Sequence, residues 1–256
     1  TDYDLLVGGS HYIVGQASNV NKYNTLAFRM QEAFAKGFAS AAYYNGADGL
    51  YTFNTYRPQD TAYTTVTPEG VATRHGGSWE KLLVKYKSMV PEVAETGLRS
   101  YVYTNEQGLR YGAGLPVGVF AGKSVNFSVN TAHKPEVGYY TVLVGIDSNK
   151  GYLDNKLDVA VNGVEATQIR DLPSDRSFAF VENGPSYTPE HISQTAPRVM
   201  QYQVPLSAVK DGVNDVKITN NDVGTHSVMW LQINVDATEG AVPEQSVYQL
   251  AEDTVL

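Results

Sequence analysis

Hydrophobic and polar positions follow two different rhythms along this chain, and the rhythm changes near Gly97. Ahead of that point, apolar positions alternate between short continuous runs and helical spacing. Tyr3 to Gly8 is a short apolar run that predicts a buried strand, and Leu50 to Asn54 predicts a second. Between them Leu26, Met30, Ala33, Phe34, Gly37, Phe38, Ala41 and Tyr44 recur at helical spacing. Arg29, Glu32, Lys36 and Ser40 fall on the opposite, polar face, with Glu32 and Lys36 as an i,i+4 pair. Gly46 is placed to stop this helix. Thr55 to Gly77 reads as a long polar loop. Ser78 caps a third element, a helix carrying Trp79, Leu82, Leu83, Tyr86 and Val90 inward, which Pro91 disturbs or ends.

After Gly97 the spacing shortens to alternating runs separated by Gly, Asn, Asp and Pro. Strands are predicted at Ser100–Tyr103, Val117–Phe120, Val125–Asn130, Tyr139–Ile146, Leu157–Asn162, Phe178–Val181, Val199–Val204, Asp215–Thr219 and Ser227–Val235. Asn162-Gly163 is a hairpin-turn signal. Many short strands with turn punctuation predict an antiparallel sandwich or jelly roll. The tail after Ala237 is acidic and weakly patterned, and reads as a surface extension. The chain therefore divides into 1–97, 98–238 and 239–256, with the main boundary between Glu95 and Arg99.

The first part predicts a β, α, β, α order, for which parallel strand pairing is the default. Two parallel strands cannot close a sheet or cover both its faces. This segment is therefore expected to rest on further polypeptide, either a preceding portion of the same chain or a partner chain. Thr1 in place of an initiating Met, with no basic-then-apolar leader behind it, fits a piece of a longer protein.

Composition narrows the chemistry. Lys and Arg number 19 against 27 Asp and Glu, a formal net charge of −8, and no basic cluster interrupts it. Nucleic acid and anionic lipid surfaces are poor partners for such a surface. No apolar run is long enough to span a membrane. With no cysteine, disulfides, thiol nucleophiles and cysteine-held zinc are excluded. The 18 tyrosines, with plentiful Asn, Thr and Gly, suit an extracellular protein that handles sugars.

Two passages carry a family likeness. "RMQEAFAKGFASAAYYNGADGLYTFN", Arg29 to Asn54, resembles the seventh helix and eighth strand of barrel-type glycoside hydrolases and their uncharacterised relatives. "LDVAVNG", with "YQVPLSAVKDGVNDVKIT" and "SVMWLQINV", is similar to the galactose-binding-like jelly-roll domain that follows such barrels. The resemblance implies an α/β plus all-β chain: the last two β/α units of a (β/α)8 barrel, then a β-sandwich. It implies a secreted, periplasmic or cell-surface parent that cuts a polysaccharide or oligosaccharide. One departure stands out. The segment in the place of strand seven ends "VGGSHY", without the carboxylate that the largest clan of these enzymes carries there. Either the family is another one, or its acids lie on strands outside this chain, or the barrel is not a hydrolase.

Barrel active sites form at the C-terminal ends of strands. That places Ser10, His11 and Tyr12 after the first strand, and Asn54, Tyr56 and Arg57 after the second, as the substrate-binding candidates. Their donors, acceptors and rings suit sugar hydroxyls, a uronate carboxylate or a pyranose face. The competing reading is local: His11 and Asn54 satisfy backbone groups, and Arg57 pairs with Asp60. Glycoside hydrolysis usually needs two carboxyl groups. Asp48 precedes its strand and so lies at the wrong end, while Asp60 and Glu69 have no evident partner. No catalytic residue is assigned, and the fragment alone is expected to be inactive.

Other chemistries lack their motifs. There is no G-x-S-x-G elbow, no H-E-x-x-H spacing and no phosphate loop. No cofactor is implied, although the oxygen-rich stretch from Asp147 to Asn155 suits structural Ca²⁺ or simply a solvated hairpin loop. The loop from Ser174 to Ala196, with Tyr187, Glu190 and His191, either meets sugar or packs between domains. Besides the enzyme reading, the sandwich is left as a carbohydrate-binding module or a purely structural brace.

Overall fold

The computed structural model describes residues 6–9, 24–52, 63–66, 72–75, 87, 89–103, 115–147, 156–172, 178–180, 194–196 and 198–243. It opens with β1 (Leu6–Gly9), α1 (Asn24–Tyr44) and β2 (Gly49–Thr52). β1 and β2 pair in parallel, Leu6 opposite Gly49 and Gly9 opposite Thr52. The parallel pairing expected from the β, α, β order is thus present. Among the described residues this sheet has two strands.

α1 forms where small, helix-favouring residues are dense: Ala33, Ala35, Ala39, Ala41 and Ala42. Its end is a Schellman cap. Gly46, at φ 88°, lets the Ala47 N–H reach the Ala42 carbonyl while its own N–H reaches that of Tyr43. The helix departs from the sequence reading on its polar side. Lys36 and Ser40, expected toward solvent, are buried. The Lys36 ammonium donates to the Thr96 carbonyl at 3.1 Å. The reason is that α1 is covered on two sides. Ala35 and Ala39 pack with Met89 and Ala94, joined by Phe38, Tyr43 and Leu50 of β2. Ala41 packs against the main core.

The expected polar loop after β2 contains a hairpin, β3 (Tyr63–Val66) with β4 (Ala72–His75). Pro91 opens a one-turn helix, α2 (Pro91–Ala94), at the position where a missing N–H costs nothing. Ala94 within it and Met89 just ahead of it are buried, whereas Val90, expected inward, is 40% exposed.

The remainder is a β-sandwich. The strands here are β5 (Leu98–Tyr103), β6 (Val117–Val119), β7 (Ser124–Asn130), β8 (Tyr139–Ile146), β9 (Leu157–Val161), β10 (Val164–Glu165), β11 (Thr167–Leu172), β14 (Arg198–Val204), β15 (Val213–Asn220) and β16 (His226–Asp236), with β12 (Phe178–Phe180) and β13 (Gln194–Ala196) forming a separate two-stranded sheet. One sheet runs β10-β9-β15-β7, and the other β11-β14-β8-β16-β5 with β6 also on β16. All these pairings are antiparallel. Phe127, Val129, Val159, Val161, Val216 and Ile218 of the first sheet meet Tyr140, Val142, Val144, Tyr202, Leu231 and Ile233 of the second in one core. The Asn162-Gly163 turn joins β9 to β10 with both residues at positive φ, as a type I′ hairpin requires.

The predicted sandwich strands match within a residue or two at most ends. β10, β11 and β13 lie beyond that prediction, and β12 and β13 pair within the stretch read as a loop.

Candidate functional site

Because β1 and β2 run parallel, with Gly9 beside Thr52, the chain leaves both strands at the same end of the pair. Ser10 follows Gly9 directly and Asn54 stands two residues after Thr52. Ser10, His11, Tyr12, Asn54, Tyr56 and Arg57 themselves lie outside the described residues, as do Asp60 and Glu69. Asp48 is described: it sits in the turn ahead of β2, at the opposite end of the pair, where the sequence reading puts it.

The wall behind this pair is α1 and what it holds. Tyr43 donates its hydroxyl to the Met89 carbonyl at 3.0 Å. Burial, then the nearby Glu92 carboxylate, pushes the Tyr43 pKa up. Ser40 and Tyr101 share a buried hydrogen bond of 2.8 Å between α1 and β5. Burial raises the Tyr101 pKa, with the Arg99 guanidinium and the Ser40 bond working against it.

The outer face of the six-stranded sheet carries a polar ladder that the sequence reading passed over. Trp230 donates from Nε1 to Gln232 Oε1 at 3.1 Å. Gln232 donates from Nε2 to Asn234 Oδ1 at 2.7 Å, and Ser100 donates to the same oxygen at 2.6 Å. All four residues are buried. Most buried polar groups are hydrogen-bonded, and in this row the side chains satisfy one another. β13 lies against β16. The signal was available in "WLQIN", where Trp, Gln and Asn occupy every second position.

A second cluster lies at the end of β8 and β16. His226 is fully buried, with Nε2 3.1 Å from Asp222 Oδ2 and Nδ1 3.9 Å from Asp147 Oδ1. Asp147 Oδ1 also accepts the Ser227 N–H at 2.9 Å, so this carboxylate fastens a strand end. Of the stretch read as a calcium loop, residues 148–155 lie outside the described residues, as do Tyr187, Glu190 and His191. Among the described residues no group of three or more His, Asp and Glu is arranged to hold a metal ion. The cluster is suited to joining two turns, not to transferring a proton to a substrate, since its imidazole is closed to solvent.

Two asparagines do similar work. Asn214 Nδ2 donates to Thr131 Oγ1, Lys210 O and Gly212 O, and its Oδ1 accepts from Lys210 N and Asn162 Nδ2. Asn220 Nδ2 donates to Val119 O and Gly224 O, both at 2.7 Å.

No protein-family model matches the chain. No curated protein matches it either. Among solved structures it is similar to a beta-porphyranase of glycoside hydrolase family 86 from the human gut bacterium Bacteroides plebeius. That match has 15% identity and a TM-score of 0.36, over 73% of this chain and 32% of that one. It is also similar to BuGH86 in complex with neoagarooctaose, once as a variant (15% identity, TM-score 0.35) and once as the wild type (14%, 0.34). Each of these covers 73% of this chain and 29% of the other. The chain thus spans less than a third of the length of each. Likeness at this level leaves the functional reading to the chain's own residues.

Proposed function

We propose that this chain is the C-terminal portion of a carbohydrate-active enzyme, a glycoside hydrolase-like parent acting on a polysaccharide. In this reading residues 1–97 are the last two β/α units of a (β/α)8 barrel, 98–238 a jelly-roll sandwich and 239–256 a C-terminal extension. The observation that carries it is the parallel pair β1–β2, which has no third strand among the described residues while its connecting helix is already packed against β5. Parallel sheets are stable with neighbours at both edges and cover on both faces. A preceding set of β/α units supplies both.

The substrate then lies over the C-terminal ends of β1 and β2, where Ser10, His11, Tyr12, Asn54, Tyr56 and Arg57 follow in sequence. Their role is to bind and orient sugar. The catalytic acids belong to strands outside this chain. A polymeric substrate is met outside the cytoplasm, so the proposed location is secreted, periplasmic or cell-surface.

The test is a pair of assays on a panel of polysaccharides and oligosaccharides with neoagarooctaose among them, chosen because a structural neighbour is bound to it. The parent carrying the preceding residues cleaves at least one substrate, and residues 1–256 alone cleave none. His11→Ala and Arg57→Ala in the parent raise KM about tenfold or more, equivalent to a lost hydrogen bond to a charged or polar partner. A parent that cleaves no glycan, or variants with unchanged kinetics, rejects the assignment.

A further inference from the structure

We infer that α1 is a structural member of the sandwich, covering the open edge of β5, so that sandwich and α/β segment move and unfold as one body. The sandwich is then a fixed brace and not a separable glycan-binding module. This does not depend on what the parent cuts.

β5 ends its sheet: β16 occupies one side, and among the described residues no strand pairs with the other. An open edge exposes unpaired backbone groups and is normally covered. α1 lies against it, and at Gly37 the approach is close. A Cβ there would stand 2.1 Å from the Ser100 carbonyl oxygen and 2.8 Å from its carbon, so any side chain would drive helix and strand apart. One turn on, the fully buried Ser40 hydroxyl meets the Tyr101 hydroxyl. One residue earlier, Lys36 reaches the Thr96 carbonyl at the entry to β5.

The C-terminal end of the helix is held by the opposite sheet's turns. Tyr44 lies edge-on to His133, with ring centroids 4.9 Å apart, and fits against Gly212, where a Cβ would come within 2.8 Å of its ring. Asn130 donates to Asn45 at 3.1 Å.

The stretch expected as a boundary is equally fastened. His133 Nδ1 stands 2.8 and 2.9 Å from the two Glu95 carboxylate oxygens. Arg99, 1% exposed, donates to the His133 carbonyl. Ala94 is fully buried three residues before Gly97. A hinge needs exposed chain with few contacts. This stretch is exposed at Thr96 and is tied down on both sides of it, by Ala94 and Glu95 before and by Arg99 after. On its far side α1 holds Ala94 and, through Leu50, strand β2. One helix therefore serves two cores.

Native-state hydrogen exchange on the intact chain tests this. Amides of residues 33–44 and of β5 are expected to exchange through the same opening, with equal protection and equal dependence on denaturant. Gly37→Val is expected to lower α1 protection at least a hundredfold. Should that variant not fold, Ser40→Ala serves, lowering protection of α1 and β5 by the same factor. The inference is overturned if wild-type α1 exchanges a hundredfold faster than β5 through an opening of its own. It is equally overturned if limited proteolysis frees a sandwich fragment that melts at the temperature of the intact chain.

Discussion

The two sheets of the sandwich face their surroundings differently. In the four-stranded sheet, burial alternates along β15: Asn214, Val216, Ile218 and Asn220 are buried, while Val213, Asp215 and Lys217 are exposed. β7 and β9 follow the same rhythm. In the six-stranded sheet all eight residues of β8 are buried, and β16 is buried continuously from Trp230 to Val235. An antiparallel sheet with one wet face needs only alternation. A sheet covered on both faces must also find partners for most of the polar groups it carries. That is what Trp230, Gln232, Asn234 and Ser100 do for one another. The six-stranded sheet is therefore the inner wall of the molecule, with α1 at its β5 edge and β13 on β16, and the four-stranded sheet is its outer wall.

The contrast is most directly broken at Trp230. Truncating a fully buried indole on a covered face is expected to cost about 3–5 kcal/mol in Trp230→Ala, read from denaturant unfolding. In a Trp79→Phe background, Trp230 emission is expected to be blue-shifted and shielded from acrylamide. A red-shifted, quenchable Trp230 whose removal costs under about 1 kcal/mol would mean that this face is open in solution.

Alkaline pH gives a smaller effect. Burial drives the pKa of Tyr140 and Tyr202, both on the inner face of the covered sheet, well above the ordinary 10.0. For Tyr202 the Asp171 carboxylate adds to this rise. Above pH 10 the unfolded chain loses these protons while the folded chain keeps them. The unfolded state then binds fewer protons, so stability falls as pH rises, by about 1.4 kcal/mol per pH unit for each tyrosine. Below pH 10 these groups contribute no slope. Tyr140→Phe is expected to flatten the decline by its share, measured as unfolding midpoints between pH 9 and 12. An unchanged slope places the proton loss elsewhere.

The smallest effect belongs to the wet face of the outer wall. Ser128 donates to Asp215 across β7 and β15 at 2.6 Å, with both groups exposed. Ser128→Ala is expected to shift stability by no more than about 0.5 kcal/mol. A cost comparable to that of Trp230→Ala would erase the distinction between the two walls.

Much of the sandwich was legible in advance because its strands alternate cleanly and its turns carry their own chemistry. Val125, Phe127 and Val129 announce β7, and Asn162-Gly163 announces its hairpin. β3 and β4 were hidden because Tyr-Thr-Thr-Val and Ala-Thr-Arg-His have little apolar contrast, and their pairing arises between strands. β11 was hidden for the same reason, since Thr-Gln-Ile-Arg-Asp-Leu acquires its role only beside β14. The candidate sugar contacts are an expectation from residue types that follow two strands, and they lie outside the described residues. The structure contributes the parallel register that brings those strand ends together.

Local patterning determined α1 and most of the sandwich strands, because periodicity, caps and turn residues act over a few positions along the chain. It also determined that β1 and β2 pair in parallel, since a helix stands between them. Only the tertiary structure decided which polar residues lie inside. Lys36 and Ser40 sit on a helix face that would be solvated if α1 had one neighbour, but α1 has two. Trp230, Gln232 and Asn234 would mark a wet face if the inner wall were an outer one. Burial depends on what lies on the far side of an element, and a residue's own neighbours in sequence do not carry that information.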